Sequence, residues 1–314
     1  MKLHALITQY IVYRKSFGER FQTNERILKS FCNIVGTEIE VTNIGVEQVI
    51  AFLYSKGQIT SSWHVKHNAL LGFYRYVLSR GYATTSPLPT VKPKRPQPFV
   101  PYIYTQEELR RLLAAVFTYQ KNRGRLEPYM VHTLLLLLYG VGLRLSKAIG
   151  LTLSDVDLAQ KLLTIRNTKF FKTRLVPIGV QLNETLMQYV AWRKQQGYSQ
   201  SSDAPFFVGR NGKLVNIYTI EGAFQCIRKQ AGIERTDKAT YQPRLHDLRH
   251  TFAVDRLTSW YQQGKDVQKL LPHLSVYLGH KYLAATSVYL TMTSELLHQA
   301  SERFEHYVLK GEYL

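Results

Sequence analysis

The sequence predicts a mainly helical α+β protein in which two domains are joined by a linker. Apolar residues recur at helical spacing through most of the 314-residue chain, and a few short segments in its second half carry a strand pattern. Six of the 11 prolines fall between Pro87 and Pro101, where a helix would not continue. Since a chain of this length usually holds two domains, the proline-rich stretch predicts their boundary.

The first domain is predicted over residues 1–90 as a small bundle of helices with one basic side. Helical spacing covers residues 3–17, 24–35, 46–55 and 61–78. In the last of these helices, Lys66, Arg75 and Arg80 lie off the apolar stripe. Together they suit contacts with a phosphate backbone, whereas each alone is more typical of a solvated helix face.

The linker is predicted over residues 91–104, and its centre is basic. Lys92, Lys94 and Arg95 alternate with prolines, so this stretch is expected to be semi-extended. Its charges could lie along a phosphate backbone. The alternative is an ordinary solvated linker.

The second domain is predicted over residues 105–293. Thr105, followed by glutamates, is typical of a helix N-terminus. A buried helix is expected over residues 128–139, interrupted by Gly140 and Gly142. The strand pattern covers residues 162–166 and 174–178, with a further short hairpin around the Asn211-Gly212 turn. Residues 294–314 predict a final amphipathic helix.

The composition favours a nucleic-acid partner. A formal net charge of +19 attracts polyanions, and no lipidation motif or terminal amphipathic anchor favours a membrane. The two cysteines, Cys32 and Cys226, fit neither a disulfide framework nor a zinc pattern. With no signal-peptide pattern, and an apolar run over residues 134–141 that is too short to span a bilayer, the protein is expected to be cytoplasmic.

Several side chains in the second domain suit phosphate chemistry. His246 and Arg249 are three residues apart at the start of a predicted helix, so they share one face. A planar guanidinium binds two oxygens of a phosphate at once, and Arg144 supplies a second one. The phenol of Tyr289, if placed nearby, could attack phosphorus. His246 and His250 also have the spacing of a zinc pair, but Arg249 lies between them and no Glu follows His246, so His250 is expected to pack or cap.

The ordered motifs resemble the tyrosine recombinase, or phage integrase, family. Over residues 105–295 the candidate catalytic residues lie in these contexts: Arg144 in G-L-R-L-S, Lys172 in K-T-R-L-V-P, His246 and Arg249 in H-D-L-R-H-T, His280 in L-G-H, and Tyr289 in T-S-V-Y-L. The resemblance implies a two-domain DNA clamp. In that clamp a helical, SAM-like core-binding domain precedes the linker and a tyrosine-recombinase catalytic domain follows it.

The resemblance also implies a role for each residue. Tyr289 would form a 3′-phosphotyrosyl intermediate, and Lys172, or alternatively Lys169, would protonate the leaving 5′ oxygen. The remaining candidates would bind the phosphate or accept the tyrosine proton: Arg144, His246, Arg249 and His280. Arg174 is expected to be a phosphate or structural contact. No ATP, metal or other cofactor is implied, and the sequence has no P-loop pattern.

One position departs from the family pattern. Three residues after Arg144 the family generally has an acid that helps to position the histidine and arginine, and here it is Lys147. Asp155 and Asp247 are candidates to compensate. Lys147 is also the one residue that favours a catalytically silent DNA-binding protein.

The partners implied by the resemblance are duplex DNA with inverted-repeat core sites and further copies of the chain. The enzyme would act as an integrase, resolvase or transposase of a mobile element, as a homotetramer on DNA. The helix over residues 294–314 would dock on a neighbouring subunit or pack on its own domain. A type IB topoisomerase-like DNA relaxer is an alternative with the same nucleophile.

Overall fold

A computed structural model describes residues 1–55, 61–95, 100–119, 124–166, 173–237, 239 and 241–310. The chain divides into two compact units, residues 1–99 and 100–314. Helices dominate both units, and the sheet found among the described residues lies in the second. The fold class predicted from the sequence, mainly helical with a small antiparallel sheet, is confirmed.

The first unit is a helical bundle around an apolar core. Its helices are α1 (Leu3–Ser16), α2 (Gln22–Val35), α3 (Val46–Leu53) and α4 (Ser61–Ser79). Leu28, Phe31, Leu70 and Phe73 are fully buried at its centre. Each predicted helix forms, with small shifts at its ends, because the periodic apolar positions of these helices meet in this core.

The second unit carries the remaining elements. Its helices are α5 (Gln106–Ala115), α6 (Pro128–Val141), α7 (Leu145–Ala148), α8 (Val180–Gln195), α9 (Ile217–Gln230), α10 (Asp247–Gln262), α11 (Val267–Leu278), α12 (Ala284–Ser287) and α13 (Ser294–Lys310). Tyr289 lies on a short 3₁₀ helix, Val288–Thr291. The predicted cap at Thr105 is confirmed, since its hydroxyl accepts from the Glu108 backbone N–H. Within the described ranges, no helix is both long and apolar enough to cross a membrane.

The sheet is antiparallel, with β1 (Val156–Asp157), β2 (Leu162–Ile165) and β3 (Arg174–Pro177) in that order. The predicted pair of strands corresponds to β2 and β3, whose buried residues Leu163 and Val176 face each other. β1 was not predicted, because a two-residue strand is too short to show an alternating pattern. Ile165 pairs with Arg174, which places Arg174 at the end of the β2–β3 pair where the chain leads from one strand to the other.

Two local predictions were wrong. Gly140 lies within α6, and only Gly142, with φ of 59°, ends the helix. The predicted hairpin around Asn211 and Gly212 is reduced to an isolated bridge between Val208 and Leu214. Both Phe206 and Phe207 are fully buried there, so the alternation that a half-buried strand requires is lost.

Candidate active site

Arg249 is the buried centre of a cluster of cationic and aromatic side chains in the second unit. It is only 2% exposed. Its Nη1 donates to the carbonyl oxygen of Gly142 at 2.6 Å, and its Nη2 donates to that of Leu278 at 2.7 Å. These carbonyls lie at the C-terminal ends of α6 and α11, where the aligned peptide dipoles leave partial negative charge. Two helix ends therefore hold this guanidinium in place.

Glycines allow the two helices to end against Arg249. Gly142 and Gly279 follow α6 and α11 in the left-handed conformation, with φ of 59° and 68°. A Cβ on Gly142 would come within 2.5 Å of the Phe252 ring. The glycines of the G-L-R and L-G-H motifs are thus required by the backbone and by close packing at the cluster.

Arg144 and His246 stand at the starts of helices that border the cluster. Arg144 directly precedes α7 and is exposed, and its Nη1 lies 3.4 Å from the carbonyl oxygen of Gly279. His246 directly precedes α10, one turn before Arg249, and keeps an exposed edge. Burial and the guanidinium of Arg144 lower the pKa of Arg249 to about 10, so the two cations act on each other across the cluster.

Tyr289 is 3% exposed and lies between imidazoles. Its ring stacks on that of His280, with centroids 6.1 Å apart, and contacts the ring of His250 at 5.6 Å. The Nδ1 atom of His280 is 2.7 Å from the hydroxyl of buried Thr286, which fixes the His280 ring. The structure therefore brings together all the predicted catalytic residues that lie in its described part, which are Arg144, His246, Arg249, His280 and Tyr289.

His250 lies inside the cluster, where sequence reasoning expected only packing or capping. Its ring meets that of His246 edge-on at 5.0 Å and also contacts that of Tyr289 at 5.6 Å. Among the described residues its Nδ1 is buried and has no hydrogen-bond partner. Its position, one turn after His246 on α10, was the signal that could have found it.

Arg174 joins the cluster from β3. Its guanidinium lies directly over Gly279, where a Cβ would be only 1.4 Å from Nη1. Burial and the charge of Arg144 lower the pKa of Arg174 to about 10. Its buried Nε finds no hydrogen-bond partner in the part of the chain that the structure describes. A third guanidinium, predicted only as a phosphate or structural contact, therefore stands beside Arg144 and Arg249.

The predicted proton donor, Lys172, and its alternative, Lys169, lie outside the described residues. In sequence they fall between β2 and β3, and β3 begins at Arg174. Their roles remain predictions.

The carboxylates proposed to compensate for Lys147 have other partners. Asp155 accepts from the Thr152 hydroxyl at 2.9 Å and from Arg166 at 2.5 Å. Burial would raise the pKa of Asp155, but hydrogen bonds from the Thr152 backbone N–H, from Arg166 and from the Thr152 hydroxyl outweigh it and hold the pKa below its usual range. Lys147 itself donates to the backbone carbonyl of Arg166 at 3.2 Å.

The second carboxylate, Asp247, is fully buried and caps the turn before α10. It accepts from the Arg244 backbone N–H at 2.8 Å and from the Arg244 side chain at 3.2 Å. It therefore fixes the backbone on which His246 stands. Asp247 therefore positions His246 through the backbone of this turn and not through direct contact with the imidazole.

The residues predicted to contact DNA outside the cluster differ in their surroundings. Lys66 donates to the carbonyl oxygen of Phe52 at 2.8 Å and to the Ser55 hydroxyl at 2.7 Å, so it closes the C-terminal end of α3. The others are exposed, namely Arg75, Lys92, Lys94 and Arg95. Exposure is compatible with DNA contact, which remains a prediction for all of them.

Within the described ranges, no three His, Cys, Asp or Glu side chains come together as a metal site would require. His246 and His250, whose spacing resembles a zinc pair, meet ring edge to ring face instead. Such an arrangement is typical of packed aromatic rings.

The free cluster keeps its imidazoles neutral at neutral pH. Burial, with the positive charges nearby, lowers the pKa of His246, His250 and His280 to about 4 in each case. Burial also raises the pKa of Tyr289, against the opposing effect of Arg249 and Arg144. A neutral phenol thus lies among neutral imidazoles that can still accept a proton.

We expect the free energy of unfolding to fall as the pH decreases from about 6.5 to about 4. The unfolded histidines, with an ordinary pKa of about 6.5, bind protons in this window, whereas the folded ones do not until about pH 4. Urea unfolding at several pH values would measure the slope. A variant with His246→Gln, His250→Gln and His280→Gln should lose much of it, and an unchanged slope would contradict the assignment.

Comparison with known proteins agrees with this geometry. The profile of the phage integrase family matches residues 103–295. The chain is 33% identical over 302 residues to the putative integrase/recombinase y4rB of Sinorhizobium fredii, which covers 95% of this chain and 96% of that protein. It is 30% identical to tyrosine recombinase XerC of Azotobacter vinelandii, which covers 78% of this chain and 74% of that protein.

The fold is also similar to solved structures. A lambda integrase tetramer bound to a Holliday junction has a TM-score of 0.68 at 17% identity, covering 92% of this chain and 77% of that one. The chain therefore belongs to the phage integrase family, that is, to the tyrosine recombinases, whose members cleave and rejoin DNA. The resemblance predicted from the motifs is confirmed.

Proposed function

We propose that this chain is a site-specific DNA recombinase in which Tyr289 attacks the scissile phosphate of duplex DNA. The observation that carries the proposal is the convergence of a buried tyrosine with Arg249, Arg144 and Arg174. Three guanidiniums in one place, with neutral imidazoles around them, form a site suited to binding an anion. A phosphodiester supplies that anion.

The proposed step exchanges one phosphate ester for another. The Oη atom of Tyr289 forms a bond to phosphorus, the bond from phosphorus to the 5′ oxygen breaks, and the tyrosine proton passes to an imidazole. A lysine protonates the leaving 5′ oxygen. The product is a 3′-phosphotyrosyl enzyme and a free 5′ hydroxyl, so the hydroxyl of another strand can reverse the step. Because the ester energy is retained, the reaction needs neither ATP nor a metal.

The guanidiniums would stabilise the charge that builds on the nonbridging oxygens. Arg249 is fixed by two helix ends, so it needs little reorganisation when the phosphate arrives. Arg144 is exposed and can turn toward the substrate. Arg174 offers a buried Nε that the described residues leave without a partner.

We propose Lys172 as the proton donor to the leaving oxygen, with Lys169 as the alternative. A duplex with sulfur in place of the 5′ bridging oxygen needs no proton donor, because a thiolate leaves readily. Substitution of the true donor by Met should therefore slow cleavage of the ordinary duplex but not of the sulfur duplex. Comparing Lys172→Met with Lys169→Met identifies the donor. A substitution that slows cleavage of both duplexes equally would exclude a proton-donor role for that lysine.

The proposed partners are duplex DNA with inverted-repeat core sites and three further copies of the chain. Exposed Arg75, Lys92, Lys94 and Arg95, together with Lys66, are the proposed contacts with the DNA backbone. As an integrase, resolvase or transposase of a mobile element, the enzyme would act at the cytoplasmic nucleoid. The solved tetramer named above is bound to a Holliday junction, which supports this assembly.

We propose that the outer face of α13 contacts a neighbouring subunit in that assembly. In the free chain α13 packs on α10. Leu296 of α13 is fully buried in the same apolar core as the ring of Tyr289. Leu297 and Phe304 remain 48% and 65% exposed. A variant with Leu297→Asp and Phe304→Asp should bind a single core site normally but assemble paired sites poorly in gel-shift assays. Normal pairing would rule out this contact.

A nicked duplex tests the proposed function directly. Selection from a randomised duplex pool with the Tyr289→Phe variant would recover the DNA site, which is then synthesised with a nick beside the cleavage position. We expect a covalent adduct in the presence of EDTA and absence of ATP, with mass spectrometry locating the 3′ phosphate on Tyr289. Binding without adduct would indicate a silent DNA-binding protein. Relaxation of a plasmid without this site would indicate a topoisomerase.

Gly279→Ala is expected to slow cleavage by displacing Arg174. The new Cβ would meet the Arg174 guanidinium, which must then move away from the cluster. We expect the adduct to form roughly tenfold more slowly, in line with weakened contact to one charged group. The rate of adduct formation on the nicked duplex measures this effect.

Gly264→Ala is the matched control for that substitution. Gly264 has φ of 66° and no atom near the position of a Cβ. Both variants should lose about 1–2 kcal/mol of stability from left-handed strain. Only Gly279→Ala should lose cleavage, and it should add nothing in an Arg174→Ala background. A further loss in that background would show that Gly279 acts independently of Arg174.

A further inference from the structure

The imidazole and phenol rings of the cluster form a continuous row. In order, His280, Tyr289, His250 and His246 contact one another, with centroids 6.1, 5.6 and 5.0 Å apart. The ring contacts of Tyr289 in the described chain are therefore with His280 and His250, and His246 is reached through His250.

The two neighbours of Tyr289 differ in what their nitrogens can do. The Nδ1 atom of His280 is engaged with the Thr286 hydroxyl at 2.7 Å. The Nδ1 atom of His250 is buried and has no hydrogen-bond partner among the described residues. Of the two Nδ1 atoms beside the nucleophile, that of His250 is therefore the one without a partner in the described chain.

Exposure to solvent increases along the row away from the nucleophile. Tyr289 is buried, His250 is half-buried, and His246 has an exposed edge. A proton released from the buried phenol has to leave through protein, because the phenol itself is only 3% exposed. The row from Tyr289 to His246 leads from the interior to solvent.

The imidazole of His250 is neutral in the free protein, so it is able to accept a proton. Burial, Arg249 and Arg244 lower its pKa to about 4, so it is neutral in the free protein. A phosphodiester bound to the guanidiniums brings negative charge to the same place and makes a protonated imidazole more favourable. His250 would therefore become a stronger base when the substrate is in position.

We propose that His250 accepts the proton of Tyr289 during cleavage and passes it to His246. One nitrogen of His250 takes the proton from Oη as the bond to phosphorus forms, and the other nitrogen gives its own proton to His246, which exchanges with water. No oxidant, reductant or cofactor is involved. The inference rests on the proposed function, because it needs Tyr289 to be the nucleophile.

Two substitutions at residue 250 separate proton transfer from packing. His250→Phe keeps an aromatic ring against Tyr289 but has no nitrogen, whereas His250→Ala leaves space for a small base from the buffer. We expect both to slow adduct formation on the nicked duplex by about 10²–10⁴-fold, the usual contribution of a general base. Added imidazole and related azoles should restore the rate of adduct formation by His250→Ala in proportion to their basicity. They should not restore the rate of His250→Phe.

His132→Ala is a matched control. His132 is also half-buried, contacts the Phe117 ring at 5.0 Å, and has a buried Nδ1 without a hydrogen-bond partner in the described chain. Burial lowers its pKa too. It lies outside the cluster, so its loss should affect thermal stability but not the rate of adduct formation, and azoles should have no effect.

The outcomes distinguish the inference from the function beneath it. Cleavage by His250→Phe at the rate of the unsubstituted protein would reduce His250 to a packing residue and overturn the inference alone. Rescue of His250→Ala that does not follow azole basicity would do the same, since it would reflect filled space. Absence of any Tyr289-dependent adduct from the unsubstituted protein would instead remove the proposed function.

Discussion

Tyr289→Phe is expected to abolish covalent attachment to DNA while leaving the fold and DNA binding intact. The substitution keeps the ring that stacks on His280 and contacts His250, and it removes only the hydroxyl. Without a nucleophilic oxygen no phosphotyrosyl bond can form, so the adduct on the nicked duplex should fall below detection. Thermal unfolding and gel-shift affinity should remain close to those of the unsubstituted protein.

Tyr139→Phe provides the control for loss of a half-buried hydroxyl. Tyr139 lies on α6 and is not one of the cluster residues; its hydroxyl donates to Asp255 at 2.8 Å and accepts from Gln106 at 3.0 Å. Its removal should lower stability by about 1–3 kcal/mol, as expected for two hydrogen bonds, and leave cleavage unchanged. If Tyr289→Phe formed as much covalent adduct as the unsubstituted protein, another residue would be the nucleophile.

The sequence was sufficient to predict most of the residues that gather in the cluster. Arg144, Arg249 and Tyr289 were selected from short motifs in a fixed order, and the structure brings them together. Their local placement could also be read from the chain, because His246 and Arg249 share a face at the start of a predicted helix. Short motifs, their order along the chain and helical periodicity can all be recognised in the sequence alone, so these predictions needed no coordinates.

What the sequence could not predict depends on packing between distant segments. The partners of Arg249 are carbonyl groups 107 and 29 positions away, and any residue type can supply a carbonyl. Likewise, the approach of Arg174 to Gly279 joins the end of β3 to the end of α11. His250 was expected only to pack or cap because its contact with Tyr289 arises from the way the 3₁₀ helix packs on α10.

The anchoring of Arg249 also bears on the unusual Lys147. An acid at that position usually helps to orient the catalytic groups in the family, and here the position carries a cation. Two helix ends nevertheless hold Arg249, and Asp247 fixes the turn that precedes His246. Orientation in this chain is therefore supplied by backbone dipoles and by a buried cap, so Lys147 by itself does not favour a silent protein.

Arg249→Lys is expected to reduce cleavage by about 10²–10³-fold, which is the usual effect of losing one preorganised donor to a developing oxyanion. A lysine keeps the positive charge but cannot donate to the Gly142 and Leu278 carbonyls in the same planar geometry and still face a phosphate. One buried carbonyl would then lack a partner, which should cost about 1–3 kcal/mol of stability. Single-turnover adduct formation at saturating protein measures the first effect, and urea unfolding measures the second.

Arg228→Lys separates these two effects. Arg228 is 5% exposed and donates to the Ile233 carbonyl at 2.9 Å and to the Gln242 side chain at 3.1 Å. It is thus another buried guanidinium shared between two acceptors, but it is not one of the cluster residues. Arg228→Lys should lose comparable stability and keep its cleavage rate. If both variants lost cleavage equally, the defect of Arg249→Lys would reflect stability, and the part assigned to Arg249 in binding phosphate would be wrong.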